Sequence, residues 1–433
     1  MRRLTIFLAG AAALFTLGSV AGPVAVAGAT GSTFWVSNVA SVGNNSSCAR
    51  PGYRTISAAL AAASSGVTIK VCAGTYTEQL AVTKPVTITA VGSVTVAVPA
   101  SPTDSTTACD NALTSVAPGG VDMDGVSICT SGTVALTGLT ASESVPVLNC
   151  GDNMYGILVA GGADLVAKNV TVDGATESPL NGCQLGIGIE VGAGSASEVG
   201  KATLTHVSVS DYQKNGITVD GAGSTATINN SFVTGAGETD QIAQNGIQIS
   251  DGAVGTIKST TVSGNECDQA SCGPNGLQAQ ATGVLFYGAG AGSILESSSL
   301  SGNDIGAYYV SLAPTEPASA EINIFKNTFT SNRYEGIQLD AGVALVKKNT
   351  IEGSGEAGIE VIQYDGQAYA PASSATGNSI SGQQVGVEVL SDNSPTGDLP
   401  GSFNISHSSF LFSNTQASSD NSSNFTLQGS DNT

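Results

Sequence analysis

A glycine followed by a branched apolar residue, one variable residue and another apolar residue recurs along this chain. It stands at Gly156 (GILV), Gly188 (GIEV), Gly216 (GITV), Gly246 (GIQI), Gly283 (GVLF), Gly306 (GAYY), Gly336 (GIQL), Gly358 (GIEV) and Gly386 (GVEV). A second strand-like run follows each first one: NVTV from Asn169, HVSV from His206, NSFV from Asn230, NTFT from Asn327, NTIE from Asn349 and NSIS from Asn378. A third is hinted at by VAKN, ATIN, GTIK, INIF and ALVK. Two or three short alternating strands per unit describe one coil of a parallel β-helix. A single coil cannot bury its apolar face. Coils stacked at about 4.8 Å hydrogen-bond every strand to the next and pool their Val and Ile into one core. Alternation then assigns faces, so Ile189 and Val191 point in and Glu190 points out.

Composition agrees. Glycine fills 55 of 433 positions, and only 11% of residues are charged. So little charge excludes a disordered polyelectrolyte, and the Gly, Val, Thr and Asn bias excludes a helical bundle. Asn169, Asn230, Asn327, Asn349 and Asn378 each precede a strand, and Asn suits a left-handed turn. We expect one side-chain ladder at that corner, with His206 and His407 as substitutes in it rather than as catalytic bases. Arg54 opens RTISAALAAAS, a short helix with Thr55 as its cap, placed to cover the open end of the first coil. Residues 99–155 read as early coils with long disulfide-pinned excursions.

The run YRTISAALAAASSGVTIKVCAGTYTEQLAVTKPVTITAVG, with its TI-x-x-AL helix, GTYxE turn and KPVTI strand, resembles the entry to the right-handed parallel β-helix, or pectin-lyase-like, superfamily. The resemblance covers roughly residues 34–412. It implies an all-β right-handed parallel β-helix solenoid with a short N-terminal capping helix. It implies no single activity, because that superfamily holds lyases, hydrolases, esterases, epimerases and non-enzymes. The arginine base and Asp-lined calcium cleft of pectate lyases, the NTD, DD and GHG motifs of polygalacturonases, and the downstream motifs of pectin methylesterases are not recognisable here. Glu78, in the shared turn, then reads as a turn residue.

Residues 1–29 read as a secretory signal, with Arg2 and Arg3, an apolar stretch from Leu4 to Val20, and small residues before Ala29. Residues 30–412 form the β-helix domain, and the Ser/Asn-rich segment 413–433 reads as a frayed tail. Loss of Arg2 and Arg3 takes the formal charge from −20 to −22, which repels nucleic acid and anionic membranes. No membrane span is expected in the mature chain, and a monomer is expected. Eight cysteines without a CxxC pair fit an oxidising compartment. Sequential pairing is the simplest arrangement: 48 with 72, 109 with 129, 150 with 183, 267 with 272.

The outward variable positions form a column of Glu190, Thr218, Gln248, Leu285, Tyr308, Gln338, Glu360 and Glu388. Glu360 and Glu388 are the candidate catalytic carboxylates, a pair suited to sugar hydrolysis. The same pattern is what any solvated polar face presents. Six tyrosines fall between Tyr287 and Tyr369. Tyr308, Gln338, Arg333, Tyr334 and Tyr364 are the candidate substrate-binding residues, because aromatic rings stack on sugar rings while polar neighbours fix hydroxyls. Lys168, Lys258, Lys326 and Lys348 read as solvated edge charges. No metal ligands are assigned, and calcium is the one cofactor left open. The leading expectation is a secreted protein contacting extracellular or cell-envelope polysaccharide or a cell-surface glycan, with no recognisable catalytic motif and its status as an enzyme left open. The alternatives are a polysaccharide lyase or glycoside hydrolase using the paired carboxylates, and a structural or adhesive surface protein.

Overall fold

The computed structural model describes residues 32–105, 107–116, 121–145, 149–268, 281–310, 321–340, 342–363, 373–391, 401–410, 416–420 and 425–433. The signal segment 1–29 lies outside them. Among the described residues the strands form two parallel sheets, one of 12 and one of 23 strands. The glycine-led strands make the 12-stranded sheet. The other strands of each coil join the 23-stranded sheet, with a sharp bend between them.

The interior is a set of files. Ile157, Ile189, Ile217, Ile247, Val284, Ala307, Ile337, Ile359 and Val387 lie in register on successive strands, all fully buried. Val159, Val191, Val219, Ile249, Phe286, Tyr309 and Leu339 form the next file. The repeated glycine now has a cause. A Cβ at Gly336 would stand 2.5 Å from Ile351 Cγ2 and 2.7 Å from the carbonyl oxygen of Gly358. At Gly358 the same atom would meet the Gly386 carbonyl oxygen and Ile380 Cγ2, both at 2.6 Å. Each coil's backbone passes too near its neighbour for any side chain there.

The bend holds two columns where the sequence suggested one. Asn169, His206, Asn230, Ser259, Ser297, Lys326, Lys348 and His407 have φ between 49° and 59° and are exposed. The buried ladder lies one residue later, at Ser231, Thr260, Ser298, Asn327, Asn349, Asn378 and Ser408. Asn349 Nδ2 donates to Asn378 Oδ1 at 3.0 Å and to the Ile324 carbonyl at 3.0 Å. Its Oδ1 accepts from Asn327 N and Nδ2. The amide is thus satisfied where no water reaches it. The two histidines therefore belong with Asn169 and Asn230 in the left-handed column, not with Asn327, Asn349 and Asn378. A second amide ladder, unforeseen, runs Asn265, Asn303, Asn332 at another corner, with Nδ2 to Oδ1 distances of 2.8 and 3.1 Å.

Helix α1 (Ile56–Ala62) caps the first coil, with Thr55 accepting from Ala58 N at 3.1 Å. Glu78 does more than turn the chain. Its carboxylate accepts the free N–H groups of Ile56 and Ser57 at 2.9 and 2.8 Å, fastening the helix N-terminus to the solenoid. Helix α2 (Ala108–Val116) begins with a reciprocal cap, in which Asp110 accepts from Thr107 N and Thr107 Oγ1 accepts from Asp110 N. Disulfides join Cys48 to Cys72, Cys109 to Cys129 and Cys150 to Cys183. Cys267 is also disulfide-bonded, but its expected partner, Cys272, lies outside the described residues.

The expected frayed tail is instead a coil. Gln416–Asp420 pairs with Val385–Ser391, and Phe425–Ser430 with Gly401–Ser406. Leu427 packs against the core. The open edge of the stack offers unpaired backbone groups, and Leu427 supplies the inward apolar residue that the Ser/Asn content hid. No described helix is long and apolar enough to cross a membrane.

Candidate functional site

The outer face of the 12-stranded sheet carries the predicted column in unbroken register: Glu190, Thr218, Gln248, Leu285, Tyr308, Gln338, Glu360, Glu388. Neighbours in it are one strand apart, about 4.8 Å between backbones. The column is not the solvated face that was the simpler expectation. Glu190, Thr218, Gln338 and Glu360 are 4%, 3%, 4% and 8% exposed, so most of each side chain is out of water. Close stacking causes some of this, because each side chain lies against those of adjoining coils. In the middle of the sheet the packing is a polar network. Asn215 Nδ2 donates to Thr218 Oγ1 and Gln248 Oε1 at 3.0 and 3.2 Å, and Asn245 Nδ2 donates to Asn215 Oδ1 at 3.1 Å. Those residues hold each other and are structural.

Beyond Leu285 the chemistry changes. Tyr308 is half-buried, and its hydroxyl donates to Asp340 Oδ2 at 3.4 Å. Gln338 Oε1 has no hydrogen-bond partner. Glu360 follows, then half-buried Glu388. Burial, then the Glu388 charge, pushes the Glu360 carboxyl up to about 7. One strand before it lies Glu335, 2% exposed, with Oε2 unpartnered. Burial, then Glu360 and Glu356, pushes Glu335 up to about 9. At neutral pH this patch therefore offers a neutral carboxylic acid (Glu335), a half-ionised one (Glu360), an amide and a phenol ring. Glu335 was not among the candidates expected from the sequence. Its position at the head of the GIQL strand was the available signal.

Arg333 is elsewhere. Its guanidinium bridges Glu266 at 3.0 Å, Glu238 at 3.2 Å and Asp304 at 3.5 Å, and donates to the Cys267 carbonyl at 2.8 Å. Those contacts tie loops together at the corner before the sheet. Tyr334 sits beside it, half-buried, its hydroxyl against the guanidinium. The structure thus joins Tyr308, Gln338, Glu360 and Glu388, and sets Arg333 and Tyr334 apart from them. Tyr364 lies outside the described residues. Of the other tyrosines in the cluster, Tyr309 is core and Tyr287 is exposed.

The stacked coils, the parallel register and the inward files leave one architecture. Its fold is a right-handed parallel β-helix. The family model for a right-handed β-helix region matches residues 187–373. No curated protein matches the chain in sequence. Among solved structures, the catalytic unit of a thermostable α-1,3-glucanase from Streptomyces thermodiastaticus is 14% identical. The match covers 87% of this chain and 64% of that one, with a TM-score of 0.57. A mutant of the periplasmic alginate epimerase AlgG is 10% identical, over 85% of this chain and 77% of that chain, with a TM-score of 0.55. The A-module of the Azotobacter vinelandii mannuronan C-5 epimerase AlgE6 is 12% identical, over 87% and 93%, with a TM-score of 0.54. Such identities carry the β-helix and not an activity. Among the described residues of this β-helix, no group of three or more His, Cys, Asp or Glu is arranged to hold a metal ion.

Proposed function

We propose that the protein is exported and contacts neutral polysaccharide along the outer face of the 12-stranded sheet, through Tyr308, Gln338, Glu360 and Glu388. The observation that carries this is the register: a ring, an amide, a protonatable acid and a second acid on four consecutive coils. A sugar chain lying along the stack meets one of these groups at each strand. The half-buried ring of Tyr308 supplies an apolar platform, and protonated Glu360 donates to a sugar oxygen. The formal charge of −20 disfavours a polyanionic ligand on this carboxyl-lined face. The Cys48–Cys72, Cys109–Cys129 and Cys150–Cys183 disulfides support an oxidising compartment. That the similar structures include an α-1,3-glucanase and alginate epimerases supports a glycan partner. The test is affinity electrophoresis against a panel of neutral polysaccharides. Tyr308→Ala and Gln338→Ala should each weaken retention about tenfold. Unchanged retention in both variants removes this site.

A second reading is favoured by the Glu360–Glu388 pair. Adjacent strands put the carboxyls near the separation of about 5 Å used by retaining glycosidases. Glu360, held near 7, suits a general acid, with Glu388 as the carboxylate partner. Reducing-sugar release that falls about a thousandfold in Glu360→Gln and Glu388→Gln would establish it. Unsaturated products would indicate a lyase instead. No turnover on the panel, with and without calcium, would leave contact alone.

A further inference from the structure

We propose that the 23-stranded sheet carries a second surface, a lysine ridge that takes a linear anionic polysaccharide. Register across this sheet aligns one outer row along the rod: Trp35, Lys70, Thr89, Thr137, Lys168, Thr205, Asn229, Lys258, Glu296, Phe325, Lys347, Thr376. Lysine recurs at every third strand, at Lys70, Lys168, Lys258 and Lys347, about 14 Å apart at the strand spacing. Lys326 and Lys348 stand beside the row in the exposed left-handed column. In a chain with 14 basic and 34 acidic residues, six lysines thus share one ridge.

The ridge is not cancelled by its surroundings. Glu296 is the single acid in the row, and it is already bridged by Lys258 at 3.2 Å and Lys326 at 3.8 Å. The next outer row on one side is uncharged, running Val166, Thr203, Thr227, Thr256, Ile294, Asn323. Across the bend the first outer row is also uncharged, and is mostly hydroxyls: Thr171, Ser208, Phe232, Thr261, Ser299, Thr328. A straight positive line flanked by hydroxyls complements an extended polymer that bears anionic groups among sugar hydroxyls. Two aromatic rings, Trp35 under Lys70 at 4.9 Å and Phe325 under Lys326 at 5.6 Å, add apolar footing along it. Carboxylate and sulfate polymers share this chemistry. The overall negative charge works against duplex DNA, which carries far denser charge and would lie against more of the acidic surface.

The test is titration of the full mature chain with polygalacturonate, dextran sulfate, neutral dextran and duplex DNA. At about 50 mM salt, one or both anionic glycans should bind, and binding should fall about tenfold or more by about 200 mM. Binding of polygalacturonate alone assigns carboxylate, and of dextran sulfate alone, sulfate. The K168E/K258E/K347E variant should lose about tenfold or more, and K326E/K348E somewhat less, with unchanged circular dichroism. Tyr308→Ala, which probes the other sheet, should leave this binding intact, so the two surfaces fail separately. Equal binding in the triple variant, no binding of either anionic glycan at low salt, or tighter binding of DNA than of both glycans overturns the proposal.

Discussion

The two ends of the 12-stranded sheet's outer face have the same backbone and different chemistry. Near the N-terminus the columns carry Tyr155, Leu158 and Ile187, and α2 lies over them, pinned by the Cys109–Cys129 bridge. Toward the C-terminus the equivalent positions are Glu335, Tyr308, Gln338 and Glu360. Both ends hold buried acids. Asp124 is fully buried, and burial, then the neighbouring Asp110 carboxylate, pushes it well above the carboxylate range. Asp124 and Glu335 occupy one register column at opposite ends. The stack therefore decides where a side chain points. Its neighbours decide whether that position becomes a packing contact or a proton donor.

The largest expected effect is common to both ends. Gly156→Val and Gly336→Val should each cost about 3 kcal/mol or more, read as a fall in Tm, because each Cβ meets the next coil's backbone. Tolerance at one end alone would mean that the coils are less closely stacked there. Next is the covering helix. Replacing Cys109 and Cys129 by Ser should cost about 2–4 kcal/mol. Hydrogen exchange should then quicken in α2 while Glu335–Asp340 keeps its protection; quickening at both ends would deny that they are independent.

The acids come third. The folded pKa of Glu335 and Glu360 is raised, so the native state binds more protons than the unfolded one. Their contribution is fully present below about 4.5 and is lost as pH climbs to about 7 for Glu360 and about 9 for Glu335. Denaturant titrations should thus find Glu335→Gln more stable than the parent by about 2 kcal/mol at pH 8, and near parity at pH 4. Asp124→Asn should show the same sign. A parent that gains stability from pH 5 to 8 relative to these variants would contradict the burial argument. The smallest effect is at the surface, where Lys258→Ala, breaking the pair with Glu296, should change stability by under about 0.5 kcal/mol.

Much of this was legible in the chain. The glycine repeat placed the inward file at Ile189 and Ile217 and the outward column from Glu190 to Glu388, because period-two alternation leaves no freedom once coils stack. Thr55 and the three sequential disulfides were legible for the same local reasons. The offset between Asn230 and Asn327 was not, since both look like an Asn ahead of a strand, and only backbone φ separates the turn residue from the ladder residue. The ladder through Asn265, Asn303 and Asn332 was hidden by irregular spacing. Burial of Glu335 and Glu360 was hidden because a sequence gives direction but not cover. Arg333 looked like a ligand for want of any sign that Glu238, Glu266 and Asp304 would converge on it.

The glycine column has one more consequence. Since each coil enters and leaves at an equivalent bare Cα, the stretch from one such glycine to the next is an interchangeable rung. Adding or deleting a rung lengthens or shortens the molecule by one strand spacing while the cross-section stays the same. Reach along a polymer is then tunable by duplication, independently of the groups that grip it.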